Sequence, residues 1–237
     1  MMATAAGPAS CRYVIWDFNG TLLDDVALCV AILNRMLQRR GLAQIGREQY
    51  LSLFGFPVAD AYRRFGFDPD RWPFDGLAKE YMEEYLPASL CEVSLREGVR
   101  AALDRFSVAG LQQVVLSASH LEDLRCQIAH FGIEGYFADL LGMTDRYGAG
   151  KEAIGKAWVH RIRQTTDAHP AMVLIGDTQH DAEVARQMGA SSVLVAGGHS
   201  SRVRLERAGG CLVADDIPSA AAAVCSLPGL FSCSDTI

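Results

Sequence analysis

Apolar residues gather in short unbroken runs at 13–16, 114–116, 172–175 and 193–195. Continuous rather than alternating runs of this length predict parallel strands covered on both faces. Between the later runs the spacing becomes helical. Residues 121–130 follow the second run, 151–163 carry Ile154, Ala157, Trp158 and Ile162 on one stripe, and 181–188 end at Gly189. Gly110, Gly132 and Gly189 stand where helices should stop. Strand and helix in alternation predict an α/β chain with a Rossmann-like, doubly wound parallel sheet.

The interval between the first and second runs is far longer than one crossover helix needs, and it is itself helical. Asp24 or Asp25 is placed to cap a helix through Arg40, with Val26, Val30, Leu33 and Leu37 on one face and Gly41 after its end. A second helical stretch covers 77–86, and a third, 98–109, leads back to the sheet. The expected organisation is an α/β core at 11–23 and 94–227, a small helical insert at 24–93 after the first core strand, and flexible ends at 1–10 and 228–237.

Charge narrows the list of partners. The chain has 28 acidic and 22 basic residues, a net charge of −6, which repels a nucleic acid. No apolar run is long enough to span a membrane, and residues 1–10 lack the basic and apolar regions of a signal peptide. Seven cysteines without a C-x-x-C pair argue for reduced thiols, read as small buried hydrophobes, in a cytoplasmic protein. A monomer or homodimer acting on a small molecule is expected.

Three of the apolar runs end in polar residues at what should be one sheet edge: Asp17, Ser117 and Gly176-Asp177. Ligands of open α/β sheets bind outside the carboxyl ends of the strands, so these groups should converge. Asp17 and Asp177 make a hard oxygen site suited to Mg²⁺. Ser117, with the amides of Ala118 and Ser119 beyond it, suits phosphoryl oxygens. Lys151 opens a helix after the turn at 147–150. A metal ion and a lysine neutralise charge on a transferring phosphoryl group while a carboxylate attacks it.

Asp17-Phe18-Asn19-Gly20-Thr21-Leu22 resembles motif I, D-x-D-x-T, of the haloacid dehalogenase-like superfamily. Ser117 resembles motif II, Lys151 motif III, and Gly176-Asp177-Thr178-Gln179-His180-Asp181 motif IV. The insert resembles the helical cap of phosphoglycolate phosphatase-like members. The resemblance implies that Asp17 is a nucleophile forming an aspartyl-phosphate and that Asp17, Asp177 and the backbone carbonyl of Asn19 hold Mg²⁺. Ser117 would bind phosphoryl oxygens, Lys151 would pair with them and with Asp17, and Asp181 would orient Lys151 or a metal-bound water. Gly20, Thr21, Ala118, Ser119 and, in the cap loop Phe54-Gly55-Phe56-Pro57, Gly55 would contact substrate. Lys156 competes with Lys151 for the motif III role.

One position departs from the pattern. Phosphatases of the superfamily carry a second aspartate, the general acid and base, where this chain has Asn19. A carboxamide donates a hydrogen bond but does not exchange a proton at useful pH. The expected function is a Mg²⁺-dependent hydrolase of a small phosphorylated metabolite. The alternatives are a carbon–phosphorus hydrolase, a phosphotransferase, or a phosphate-binding pseudoenzyme. Arg63 and Arg64 are candidates to reach a substrate carboxylate, although a solvated helix face is the commoner fate. His120 and His180 are candidate substitute proton donors, whereas His130, His160, His169 and His199 belong to no constellation. Asn19 also precedes Gly20, a pair prone to deamidation.

Overall fold

The computed structural model describes residues 12–144, 150–165 and 170–227. The ends at 1–10 and 228–237, the turn residues 147–149 and His169 lie outside the described residues.

Strand β1 (Arg12–Trp16) is followed by α1 (Val26–Arg39), α2 (Arg47–Leu53), α3 (Val58–Arg64) and α4 (Phe74–Cys91). Then come α5 (Val99–Val108), β2 (Gln112–His120), α6 (Leu121–His130), β3 (Phe137–Met143) and α7 (Lys151–Thr165). The chain continues through β4 (Ala171–Gly176), α8 (Gln179–Met188), β5 (Ser191–Val195), α9 (Arg202–Glu206), β6 (Leu212–Ala214) and α10 (Ile217–Cys225). The six strands form one sheet in the order β3-β2-β1-β4-β5-β6, with every neighbouring pair parallel. This is the doubly wound Rossmann-like sheet with a helical insertion after its first strand.

Two-sided burial explains the unbroken apolar runs. Val14, Trp16, Val115, Val173 and Ile175 face a cluster built with α5, α6 and α10. Their alternate neighbours Ile15, Val114, Leu116 and Leu174 face α7 and α8 through Trp158, Val159, Ile162, Val184 and Met188. Helices α1–α4 pack on a separate cluster that includes Ile32, Met36, Leu37, Tyr62 and Phe67. Two adjacent segments join insertion to sheet, held by Asp24 N–H to Ser94 O (3.0 Å) and Arg96 N–H to Leu22 O (2.9 Å).

The apolar pattern missed two strands, both at sheet edges. β3 is mostly half-buried and carries Asp139, which accepts from Trp158 Nε1 (3.1 Å). β6 has three residues. Helix α4 runs past the expected 77–86 and through Pro87. There Ser89 Oγ donates to Leu86 O and accepts from Gln127 Nε2 of α6, both at 2.8 Å. Asp25 stands at the N-cap position of α1, but its side chain makes no capping hydrogen bond. The cysteines depart from expectation too: Cys29 is buried, while Cys91 and Cys126 are exposed.

Gln113 is buried in β2 and ties three elements together. It accepts from Trp16 Nε1 (3.0 Å) and donates to Leu103 O (2.9 Å) and Ser107 Oγ (3.0 Å). Gln113→Leu strands the buried indole N–H of Trp16, at a cost of about 1–3 kcal/mol. Urea denaturation should show a loss of about 1–3 kcal/mol with an unchanged m-value.

Candidate active site

The strand order reverses between β1 and β4, and the carboxyl ends of these two strands bring Asp17 and Asp177 together. The register is held past the strand ends by Asp17 N–H to Ile175 O, 2.9 Å. Thr21 Oγ1 lies 3.1 Å from Asp17 Oδ2 and 3.0 Å from Asp177 Oδ1. One hydroxyl proton cannot serve both carboxylates, so the pair is short of positive charge. Burial pushes the Asp17 carboxyl well above its ordinary value; Lys151 pulls it back, and Asp181 and Asp177 push it further. Burial also raises Asp177. The space around Asp177 requires glycine. A Cβ on Gly20 would sit 2.4 Å from Asp177 Oδ2, and one on Gly198 2.2 Å from it.

Lys151, the first residue of α7, is buried and donates to Asp17 Oδ1 and Asp181 Oδ1, each at 2.5 Å. Burial alone lowers the ammonium's pKa, but the two carboxylates outweigh it and hold Lys151 above its ordinary value. Asp181 is fixed by a capping box at the start of α8: its Oδ2 accepts from Thr178 N–H (3.0 Å) and Thr178 Oγ1 (2.7 Å). Burial raises Asp181, but the Lys151 charge overrides it and leaves it below its usual range. Asp17, Asp177 and Asp181 therefore form a buried carboxylate cluster with the dimensions of a divalent-metal site. Asp181 spends its oxygens on Lys151 and on the two Thr178 donors. Beyond the Lys151 ammonium on Asp17 and the His199 N–H on Asp177, one Thr21 proton is left between Asp17 Oδ2 and Asp177 Oδ1, which makes Asp17 and Asp177 the pair that fits a cation.

Asn19 sits in a second network. Its Nδ2 donates to Asp25 Oδ2 (2.9 Å) and lies 2.6 Å from Tyr85 Oη, and its Oδ1 accepts from Ser119 Oγ (2.9 Å). Asp25 also accepts from Gly20 N–H (2.9 Å) and Tyr85 O–H (2.7 Å) and faces His199 Nε2 at 3.1 Å. His199 Nδ1 meets Tyr50 Oη at 2.9 Å. The Asn19-Gly20 pair is thereby protected, because the glycine amide that would attack the asparagine is held by Asp25. The local sequence offers Asp24 or Asp25 as the cap of α1 and gives His199 no constellation. The structure instead makes Asp25 and His199 a buried pair at the centre of the site.

Ser117 Oγ accepts from Ser119 N–H (3.0 Å), which leaves its own proton for a ligand and removes the Ser119 amide as a phosphoryl donor. Ala118 is exposed near the carboxyl end of β2. Gly55 lies on a neighbouring cavity, together with His180, whose ring stacks on Phe56. Lys156 is exposed, which leaves Lys151 as the buried lysine at the cluster. Lys79 is exposed beside Glu83.

A family model of haloacid dehalogenase-like hydrolases matches residues 14–195. The chain is 26% identical over 190 residues to a phosphoglycolate phosphatase of Rhodobacter capsulatus, covering 78% of this chain and 84% of the relative. It is 24% identical over 188 residues to the tyrosine-protein kinase PtkA of Mycobacterium tuberculosis, covering 79% of this chain and 63% of that protein. A predicted phosphatase from Clostridium acetobutylicum shares the fold with a TM-score of 0.78 at 18% identity, over 92% of this chain and all of that one.

The Asp25–His199 pair makes stability pH-dependent. Burial opposes both charges, but each partner outweighs it, moving Asp25 from 3.8 to about 2 and His199 from 6.5 to about 9. The His199 contribution is complete below pH 6.5 and lost as pH rises through 9; the Asp25 contribution is complete above pH 3.8 and lost as pH falls through 2. In chelator-treated protein, the unfolding free energy should fall between pH 6.5 and 9 by an amount on the order of 3 kcal/mol. His199→Asn should flatten that alkaline fall and move the acid loss to higher pH, as urea titrations across the range will read.

Proposed function

The chain belongs to the haloacid dehalogenase-like hydrolase family, and within it we propose a Mg²⁺-dependent phosphatase acting on a small phosphorylated metabolite. The observation that carries the reading is the charge shortage at Asp17 and Asp177, where one Thr21 hydroxyl faces two buried carboxylates. The residues fit a hard divalent cation: Asp17, Asp177 and the Asn19 backbone carbonyl would hold it, with residues 24–93 as the cap above. Bound there, Mg²⁺ supplies positive charge to the phosphoryl oxygens.

In this reading an Asp17 carboxylate oxygen attacks phosphorus, the bond from phosphorus to the leaving oxygen breaks, and water then cleaves the aspartyl-phosphate. Lys151 holds Asp17 in line and balances the incoming charge, and Asp181 holds Lys151. The free Ser117 proton points the phosphoryl group. Asn19 donates a hydrogen bond to Asp25 and exchanges no proton, so leaving groups that depart as stable anions should be favoured. The same feature favours a second reading, phosphotransfer: a phosphoenzyme without a nearby general base persists long enough to meet another acceptor. The likeness to a protein kinase supports that alternative. Exposed Lys79 gives no support to Schiff-base cleavage of a phosphonate.

Asp17→Asn should abolish phosphate release from aryl and acyl phosphates and any acid-stable phosphoenzyme trap, and chelation of the wild-type protein should abolish release reversibly. Calcium should restore it poorly. Release by Asp17→Asn at the wild-type rate, or by metal-free wild type, removes the mechanism.

Asn19→Asp puts a carboxylate against Asp25, 2.9 Å from the present amide nitrogen. Two such groups share a proton, so one becomes an acid near neutral pH. Alkyl phosphate hydrolysis should rise by at least ~10²-fold, with a smaller gain for aryl phosphates and a lower melting temperature. Asn19→Asp combined with Asp25→Asn should recover the stability. Steady-state kinetics and thermal melts check both parts.

A further inference from the structure

Beside the carboxylate cluster, between the α2–α3 loop and the starts of α8 and α9, lies a cavity of about 450 Å³ that the chemistry above does not use. Its wall carries two arginines and no carboxylate. Arg204 is tethered by NH1 to Leu51 O (2.9 Å) and Phe54 O, and Arg64 by Nε to Leu53 O (2.8 Å). Among the described residues neither has an ion-pair partner. The remaining nitrogens flank one spot. A Cβ on Gly55 would lie 3.2 Å from Arg204 NH2 and 3.6 Å from Arg64 NH2, so the absence of a side chain there keeps both reachable.

Two further features point to a ligand. The Ser200 hydroxyl is buried in the same wall without a hydrogen-bond partner, a state that folded proteins seldom leave unfilled. Burial, and then the like charge of Arg64, lower the pKa of Arg204, so the arginines oppose each other until an anion joins them. Thr178, which follows Asp177 and anchors Asp181, also lines this cavity and connects it to the carboxylates.

We propose that the cavity is the subsite for a second anionic group, a carboxylate or a phosphate, at the far end of the substrate whose phosphoryl group meets Asp17. This assignment rests on the phosphoryl-transfer reading. Arg64 and Arg204 offer paired N–H donors to the anion, and Ser200 gains the partner it lacks. The substrate class is thus a phosphorylated metabolite with a second anionic group at the end opposite the phosphoryl group, rather than an alkyl or sugar monoester whose far end is uncharged.

The test uses three series of two to five methylenes: ω-carboxyalkyl phosphates, alkane bisphosphates and n-alkyl phosphates, whose tails are uncharged. Calorimetry on full-length Asp17→Asn protein with Mg²⁺ measures binding without turnover, and phosphate release by wild type measures catalysis. At some length a charged tail should bind at least ~10-fold tighter than the n-alkyl compound, the scale of one charged hydrogen bond. The better of the carboxylate and bisphosphate arms identifies the anion. Adding Arg64→Gln, or Gly55→Val to fill the gap between the guanidinium ends, should cut that advantage below about threefold. Equal binding of charged and uncharged tails, no binding by any series, or an advantage that survives both variants overturns the subsite. Tail-dependent binding without phosphate release by wild type supports the subsite while removing the phosphatase reading. Equal release from all three series does the reverse.

Discussion

Burial of unequal charge is the constraint on which the remainder of the site depends. Asp17, Asp25, Asp177 and Asp181 are buried at one edge of the sheet, and the buried cations that face them are Lys151 and His199. Removing an ion from water costs several kcal/mol even after relaxation, and attraction repays this only when geometry and hydrogen bonding are good. The surrounding structure supplies that geometry. Parallel β1 and β4 align Asp17 with Asp177, the α8 capping box immobilises Asp181, and Gly20 and Gly198 let backbone approach Asp177 where any side chain would collide. Two negative charges remain unmatched, a deficit that matches the charge of a divalent cation.

The helical insertion is wired into this edge rather than resting on it. Tyr85 from α4 and Tyr50 from α2 reach Asp25 and His199, and Arg96, where the chain returns to the core, donates to Gly20 O (2.7 Å) and Ala196 O (2.6 Å). Asn19 belongs to the same network. Its amide nitrogen satisfies Asp25, and a carboxylate in its place would meet a buried like charge. The departure from the superfamily's second aspartate is therefore matched by its neighbours, and replacement changes both proton supply and local electrostatics.

The amino-acid sequence by itself determined the frame of this protein. Strands buried on both faces must be apolar at every position, so β1, β2, β4 and β5 declared themselves, and Asp17, Ser117, Lys151, Asp177 and Asp181 could be located at strand ends and helix starts. Edge strands need no such run: β3 and β6 gave no periodic signal. What the tertiary structure alone decided is which distant polar residues meet. Asp25 and His199 are 174 positions apart, and Arg204 reaches the loop of Gly55 from 150 positions away. No local period encodes such pairs, because contact between them follows from strand order and from the docking of the insertion. Asp25 had the local signature of a helix cap, yet its carboxylate turned inward, where a histidine, a tyrosine, an asparagine and a backbone amide offered it more than the first turn of a helix could.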